Sequence, residues 1–200
     1  MQELMPYHEL KKRLLAIPDR KHQALLCTIY AAMARVGEIV RGRYTPTQPL
    51  QAQAIKSFAN KIEIHVHSEK TDIPRKVPIF RNREQWLAAT IEGHAKAVGQ
   101  GPLFPYSTRW AENVFSRWFP EFKSRRTGNV DGSKHTIHWL RGWRYSHYRR
   151  GDVTGRPVES KVASLLGGWV SSATPERYYD FTKIEDFEVE LENEPEEVEA

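Results

Sequence analysis

Over the first forty residues the apolar positions keep a helical spacing that is interrupted once. Leu10, Leu14, Leu15 and Ile17 recur three or four apart, which predicts a short helix from Tyr7 that Pro18 stops, and Asp19 stands where a second helix needs its N-cap. From Asp19 to about Ala34 the chain is apolar almost all round, through Ala24, Leu25, Leu26, Ile29, Tyr30, Ala31 and Met33, so this helix belongs at the centre of a core and ends at Arg35. Residues 42–60 contain Gly42, Pro46, Pro49 and several Gln and Asn without periodicity, and read as a connecting loop. The period then changes to two. Lys61 to His67 alternates and Arg75 to Phe80 follows, which predicts a β-hairpin with Ser68 to Pro74 at its tip. Helical spacing returns near 83–98, 108–119, 136–148, 157–166 and 174–181. The expected fold class is α+β, a mostly helical single domain with a small antiparallel β-sheet.

Composition narrows the setting. With 200 residues, 40% of them hydrophobic and 28% charged, the chain can bury one substantial core. Its single cysteine, Cys27, permits no intramolecular disulfide, and Met1 opens no signal-peptide pattern, so the expected home is intracellular, cytoplasmic or nucleoid-associated. The longest nearly apolar stretch, Ala24 to Ala34, falls short of the roughly 20 residues a bilayer-spanning helix needs, and no membrane partner is expected.

Charge changes the picture more. The formal net charge is +5, yet residues 184–200 hold nine acids and no base. Residues 1–183, the expected folded domain, therefore carry about +14 and should attract a polyanion. The acidic tail lacks the apolar residues needed to offset its ordering, so it is expected to be mobile or to dock on a partner.

Several chemistries are excluded. There is no phosphate-cradling glycine loop, no Gly-x-Ser-x-Gly elbow and no Cys-x-x-Cys, so neither a nucleotide cofactor nor a serine hydrolase is expected. His65 and His67 share a strand face and His135 and His138 lie three apart, but neither pair is expected to have a carboxylate or cysteine beside it at ligand spacing, so no metal is expected. His135 and His147, which border the same helix, are expected to face the polyanion or to be structural.

What remains is an ordered series: Arg35-Val-Gly-Glu38, Lys70-Thr71 on the hairpin, His138-Trp-Leu-Arg141, Gly167-Gly-Trp169, then Tyr178. Phosphodiester exchange needs a nucleophile, a proton donor for the leaving alkoxide and fixed positive charge on the phosphoryl oxygens. Arg35 and Arg141 can offer bidentate donors, and a cationic field makes a phenol of ordinary pKa about 10 a better nucleophile near neutrality.

In that order and spacing the series, from about Asp19 to Phe181, resembles the catalytic domain of the tyrosine recombinases, the phage-integrase family. The resemblance implies that Arg35 is the first catalytic arginine, buttressed by Glu38. Lys70 would be the general acid, with Lys76 the alternative on the same hairpin. His138 and Arg141 would form the His-x-x-Arg box, Trp169 would back the phosphate, and Tyr178 would be the nucleophile, with Tyr179 beside it. It further implies double-stranded DNA as partner, a covalent 3′-phosphotyrosyl intermediate, no cofactor, and a homo-oligomer, a tetramer on DNA. The family's N-terminal DNA-clamping domain is expected to be absent from this chain, since only residues 1–18 precede the first core helix. Type IB topoisomerase-like nicking and religation uses the same chemistry and is the enzymatic alternative. A DNA-binding module that kept the fold without turnover is the other.

Overall fold

The apolar helix expected after Asp19 is the hub of the fold in the computed structural model, which describes residues 4–41, 48–67, 74–122 and 137–179. This helix, α2 (Arg20–Ala32), begins as its sequence requires: the Asp19 carboxylate accepts from the amides of Lys21 at 2.9 Å and His22 at 3.0 Å, two donors the first turn would otherwise leave unpaired. Ten of its side chains are buried, consistent with an apolar surface that runs round the whole helix. Before it, α1 (Tyr7–Leu15) lays Leu10 and Leu14 onto the core.

Two expectations are corrected after α2. Arg35 does not simply end the helix. It is the N-cap of a further four-residue helix, α3 (Val36–Ile39). Nor is the segment 42–60 all loop, because its described part contains a turn of 3-10 helix at Ala52–Ala54 and a short strand, β1 (Ile55–Ser57). The hairpin strands are β2 (Lys61–His67) and β3 (Pro74–Phe80), and β1 pairs antiparallel on the far side of β2, giving the order β1-β2-β3. The register sets Ile64 against Val77 and Ile62 against Ile79, so one sheet face is apolar and packs on the helices.

After the sheet come α4 (Arg81–Val98), α5 (Thr108–Trp118), α6 (His138–Arg149), α7 (Ser160–Gly167) and α8 (Ala173–Tyr179). α4 starts earlier than its periodicity predicts, since Glu84 breaks the helix at φ −133°, ψ 49° and separates the first turn from the regular remainder. α4 covers the sheet and α2, α6 packs along α2, and α7 and α8 pack on α6. One large apolar cluster unites α1 to α6 and the sheet. A smaller one, made of Met33, Tyr145, Tyr148, Val153, Ala163 and Trp169, lies between α2, α6 and α7. No helix among the described residues is long and apolar enough to cross a membrane.

Candidate active site

The site begins where α2 stops. Met33 takes a left-handed conformation at φ 45°, ψ 37°, uncommon for a residue with a side chain, while its amide and that of Ala34 still reach the carbonyls of Tyr30 and Ile29 at 3.1 and 3.3 Å. The sharp turn leaves Arg35 at the entrance to α3. Glu38, one turn on, folds back to it: Oε2 accepts from the Arg35 backbone amide at 3.0 Å and Oε1 from the Arg35 guanidinium at 3.1 Å. The Glu38 side chain is fully buried, whereas the Arg35 side chain is 25% exposed.

A second arginine reaches the same carboxylate from the sheet. The alternation of β3 turns Arg75, Val77 and Ile79 inward, and the Arg75 guanidinium donates through Nη2 to Glu38 Oε2 at 2.9 Å and to the Ala32 carbonyl at 3.3 Å. Sequence reasoning passed over Arg75. The available signal was its phase, since it occupies the core-facing positions of the strand together with Val77 and Ile79.

The third comes from α6. His138 is the first residue of this helix, half-buried, and Arg141 lies one turn later and is buried. Arg141 donates through Nη2 to the Gly167 carbonyl at 2.9 Å, and its guanidinium lies 3.9 Å from the centre of the Trp169 ring. The glycine pair makes this possible. A Cβ on Gly167 would sit 1.8 Å from the Trp169 ring, and Gly168 closes α7 at φ 74°, a left-handed position that suits glycine. Trp169 is then fixed by its amide on the Ser164 carbonyl at 3.0 Å and by edge contact with Tyr145 at 5.7 Å.

Arg35 and Arg75 thus both bond the Glu38 carboxylate, and the charge of Arg141 acts on it as well. Burial pushes the Glu38 carboxyl up, but the charges of Arg75 and Arg141 and the hydrogen bonds from Arg75 and the Arg35 amide outweigh it and hold the group below the usual carboxylate range. Glu38 is therefore ionised near neutrality and is paired with Arg35 and Arg75. Guanidinium forks so placed are well matched to an anion with several acceptor oxygens.

Of the residues singled out from sequence, the structure brings together Arg35, Glu38, Arg141 and Trp169, with His138 one turn from Arg141. Tyr178 and Tyr179 are the last two residues of α8, which packs on the same α6. Lys70, Thr71 and His135 lie outside the described residues, and Lys76 is exposed on the outer face of β3. His147 is structural: buried, it donates through Nε2 to the Met5 carbonyl and accepts through Nδ1 from the Tyr30 hydroxyl, both at 2.8 Å. The strand histidines differ from expectation in one respect. Glu63 does lie beside His65 on the same face, 3.1 Å from its Nε2, and its other oxygen is paired with Lys61 at 2.7 Å. Among the described residues no group of three metal-ligating side chains forms.

No family model matches the chain, and no curated protein matches it in sequence. Solved structures do match in fold. XerH site-specific recombinase, in a post-cleavage complex with a palindromic difH substrate, aligns with a TM-score of 0.64 at 14% identity over 94% of this chain and 52% of its own. XerA recombinase gives 0.65 at 16% identity over 98% and 66%, and a lambda integrase tetramer bound to a Holliday junction gives 0.55 at 14% over 91% and 50%. The chain thus spans about half the length of the XerH and lambda integrase chains.

Proposed function

From a chain with the tyrosine recombinase catalytic-domain fold, we propose an enzyme that cleaves and rejoins duplex DNA at specific sites through a covalent 3′-phosphotyrosyl intermediate. The observation that carries this reading is that Arg35 and Arg75 meet on the buried Glu38 carboxylate, on which the charge of Arg141 also acts, while Arg141 is seated in the Gly167–Trp169 turn. A scissile phosphodiester offers acceptor oxygens that guanidinium forks match.

In the reaction, the Tyr178 phenol oxygen attacks phosphorus as its proton is lost, the bond from phosphorus to the 5′-oxygen breaks, and the leaving oxygen takes a proton from Lys70. Arg35 and Arg141 hold the non-bridging oxygens, where charge grows in the transition state, and His138 hydrogen-bonds the same phosphate or passes the nucleophile's proton. The Arg141 guanidinium is held in place by the Gly167 carbonyl and the Trp169 ring. Because the phosphoryl bond energy is kept in the tyrosyl ester, attack by a 5′-hydroxyl reverses the step and rejoins DNA without a nucleotide. Exchange between two duplexes calls for paired sites, and a tetramer on DNA is part of this proposal, as in the lambda integrase assembly named above.

The test is a pool of nicked duplexes of random sequence, in which the short fragment bearing the freed 5′-hydroxyl diffuses away after cleavage and so traps the intermediate. The proposal expects a denaturant-resistant protein–DNA adduct on Tyr178 that Tyr178→Phe abolishes while non-covalent binding persists. An adduct mapped to Tyr179 reassigns the nucleophile. Binding without any adduct leaves only a DNA-binding module, and adduct formation with plasmid relaxation but no strand exchange favours the topoisomerase-like alternative.

A further inference from the structure

Arg75 is buried where β3 meets the end of α2 and the Gly167–Trp169 turn. Its side chain is 8% exposed, and its Nε and Nη1 are buried without a protein hydrogen-bond partner, an arrangement that costs free energy and calls for a reason. Only Nη2 is engaged, on Glu38 and on the Ala32 carbonyl at the end of α2. The Nη1 edge lies against Gly168, where an added Cβ would come within 3.0 Å of it. One buried guanidinium therefore touches the carboxylate that holds Arg35, the end of the helix that delivers Arg35, and the turn that carries Trp169 onto Arg141. It does so from β3, the return strand of the hairpin that bears Lys70.

Building on the strand-transfer reading above, we propose that Arg75 is a positioning residue of the active site, which keeps the Glu38 carboxylate charged and aligned so that Arg35 is presented to the phosphate, and which ties β3 to the Gly167–Trp169 turn. It acts through Glu38 and the Gly167–Trp169 turn rather than on the phosphate itself. The charged groups facing Glu38 are Arg35 at the start of α3, Arg75 on β3 and Arg141 on α6. Without Arg75, burial of the carboxyl remains while the nearest compensating charge is gone, so the group gains a proton at higher pH and loosens its hold on Arg35.

The experiment compares the parent chain with Arg75→Met and Arg75→Lys by two readouts. The first is the carbon-13 NMR titration of the Glu38 side-chain carboxyl in the DNA-free protein. The second is single-turnover cleavage of the trapped substrate as a function of pH. Arg75→Met should raise the Glu38 midpoint above the ordinary carboxylate range and slow cleavage by roughly 100-fold, the scale of a misplaced catalytic group, with the acid limb of the rate profile displaced in the same direction. Arg75→Lys keeps the charge without the fork. It should leave the midpoint and acid limb close to those of the parent and cost roughly tenfold in rate. An unmoved Glu38 midpoint in Arg75→Met, cleavage within a few-fold of the parent, or an acid limb in Arg75→Lys displaced as in Arg75→Met overturns the proposal. If Arg75→Met does not fold, the Arg75→Lys profile decides alone. A parent chain that forms no adduct overturns the strand-transfer reading, while the Glu38 titration still decides whether Arg75 controls that carboxylate.

Discussion

Arg141 and Arg144 stand three residues apart on α6, both buried, and their surroundings differ. Arg144 donates through both terminal nitrogens to the two oxygens of Glu84, at 2.5 and 2.7 Å, and through Nη2 to the Tyr148 hydroxyl at 2.9 Å. The Tyr7 hydroxyl donates to Glu84 at 3.0 Å, and the rings of Tyr30 and Tyr148 lie 4.9 and 4.5 Å from the guanidinium. One cation meets one anion among neutral hydroxyls and ring faces, and no ligand is needed. Arg141 instead donates to the Gly167 carbonyl and lies on the Trp169 ring, while Arg35 and Arg75 bond Glu38 nearby. Depth of burial is the same at both places, so burial does not distinguish a functional arginine from a structural one. What each guanidinium meets does differ: a carboxylate at Arg144, a carbonyl and a ring face at Arg141.

The largest effect expected from this contrast is at the Arg144 pair. Arg144→Met leaves Glu84 buried opposite an apolar side chain, and removing one partner of such a pair costs about 3–5 kcal/mol. Urea unfolding should show this loss, and adding Glu84→Leu should restore most of it, since the double variant carries no orphaned charge. A loss under about 1 kcal/mol in the single variant would show that the Arg144 pair is as open as the Arg141 site.

At the Arg141 site the loss should fall on rate. Arg141→Ala and Arg35→Ala should each slow cleavage by roughly 100-fold, equivalent to about 2.7 kcal/mol, the scale for one lost transition-state donor. Arg35→Ala, which removes a partly exposed side chain, should change stability by less than about 1 kcal/mol at low salt. Single-turnover rates and unfolding midpoints on the same preparations check both. Rates within a few-fold of the parent, or a stability loss as large as that of Arg144→Met, would erase the distinction.

Much of this was legible in the sequence, and the gaps have physical causes. The Asp19 cap, the α2 core helix and the hairpin follow from strong periodicities that tertiary contacts then reinforced. α3 is four residues long, and β1 is three residues in a Gln-rich segment, both too short to establish a period. The Arg35, Glu38, Arg141 and Trp169 cluster was reached through an ordered motif. Arg75 was not, because an arginine in the inward phase of a strand reads as an interruption until the carboxylate beneath it is located. Glu84 and Arg144 were missed for a related reason, since the break in α4 that turns Glu84 inward has no mark in local sequence. Lys70 lies outside the described residues.

The two regions also respond to acid in separate windows. Burial, together with the charges of Arg144 and Arg150, lowers His147 from 6.5 to about 3 despite its bond to the Met5 carbonyl. The unfolded chain binds this proton below pH 6.5 and the folded chain does not, so stability is full above 6.5 and falls by about 1.4 kcal/mol per unit as pH drops toward 3. Glu38, with its carboxyl depressed, contributes stability present above its unfolded value of 4.5 and lost only as pH falls further, through its folded value. Urea midpoints between pH 6.5 and 5 should therefore decline in the parent and decline less in His147→Gln, while Glu38→Gln leaves the slope in that interval unchanged. A flat parent profile would mean that His147 is not held neutral.

The smallest effect concerns how Arg141 is held. Trp169→Phe keeps an aromatic face for the guanidinium but weakens the cation–π contact and removes the indole N–H. If the ring serves to support Arg141, which the 3.9 Å approach favours, the loss is of order 1 kcal/mol, or roughly fivefold in cleavage rate. If the N–H instead donates to the phosphate, the loss should approach the roughly 100-fold of a missing transition-state donor. Comparing Trp169→Phe with Arg141→Ala on the trapped substrate separates these outcomes. Support predicts that Trp169→Phe has almost no further effect once Arg141 is alanine, because a face with no guanidinium to hold has lost its function. A full additional loss in the double variant would assign Trp169 a contact of its own.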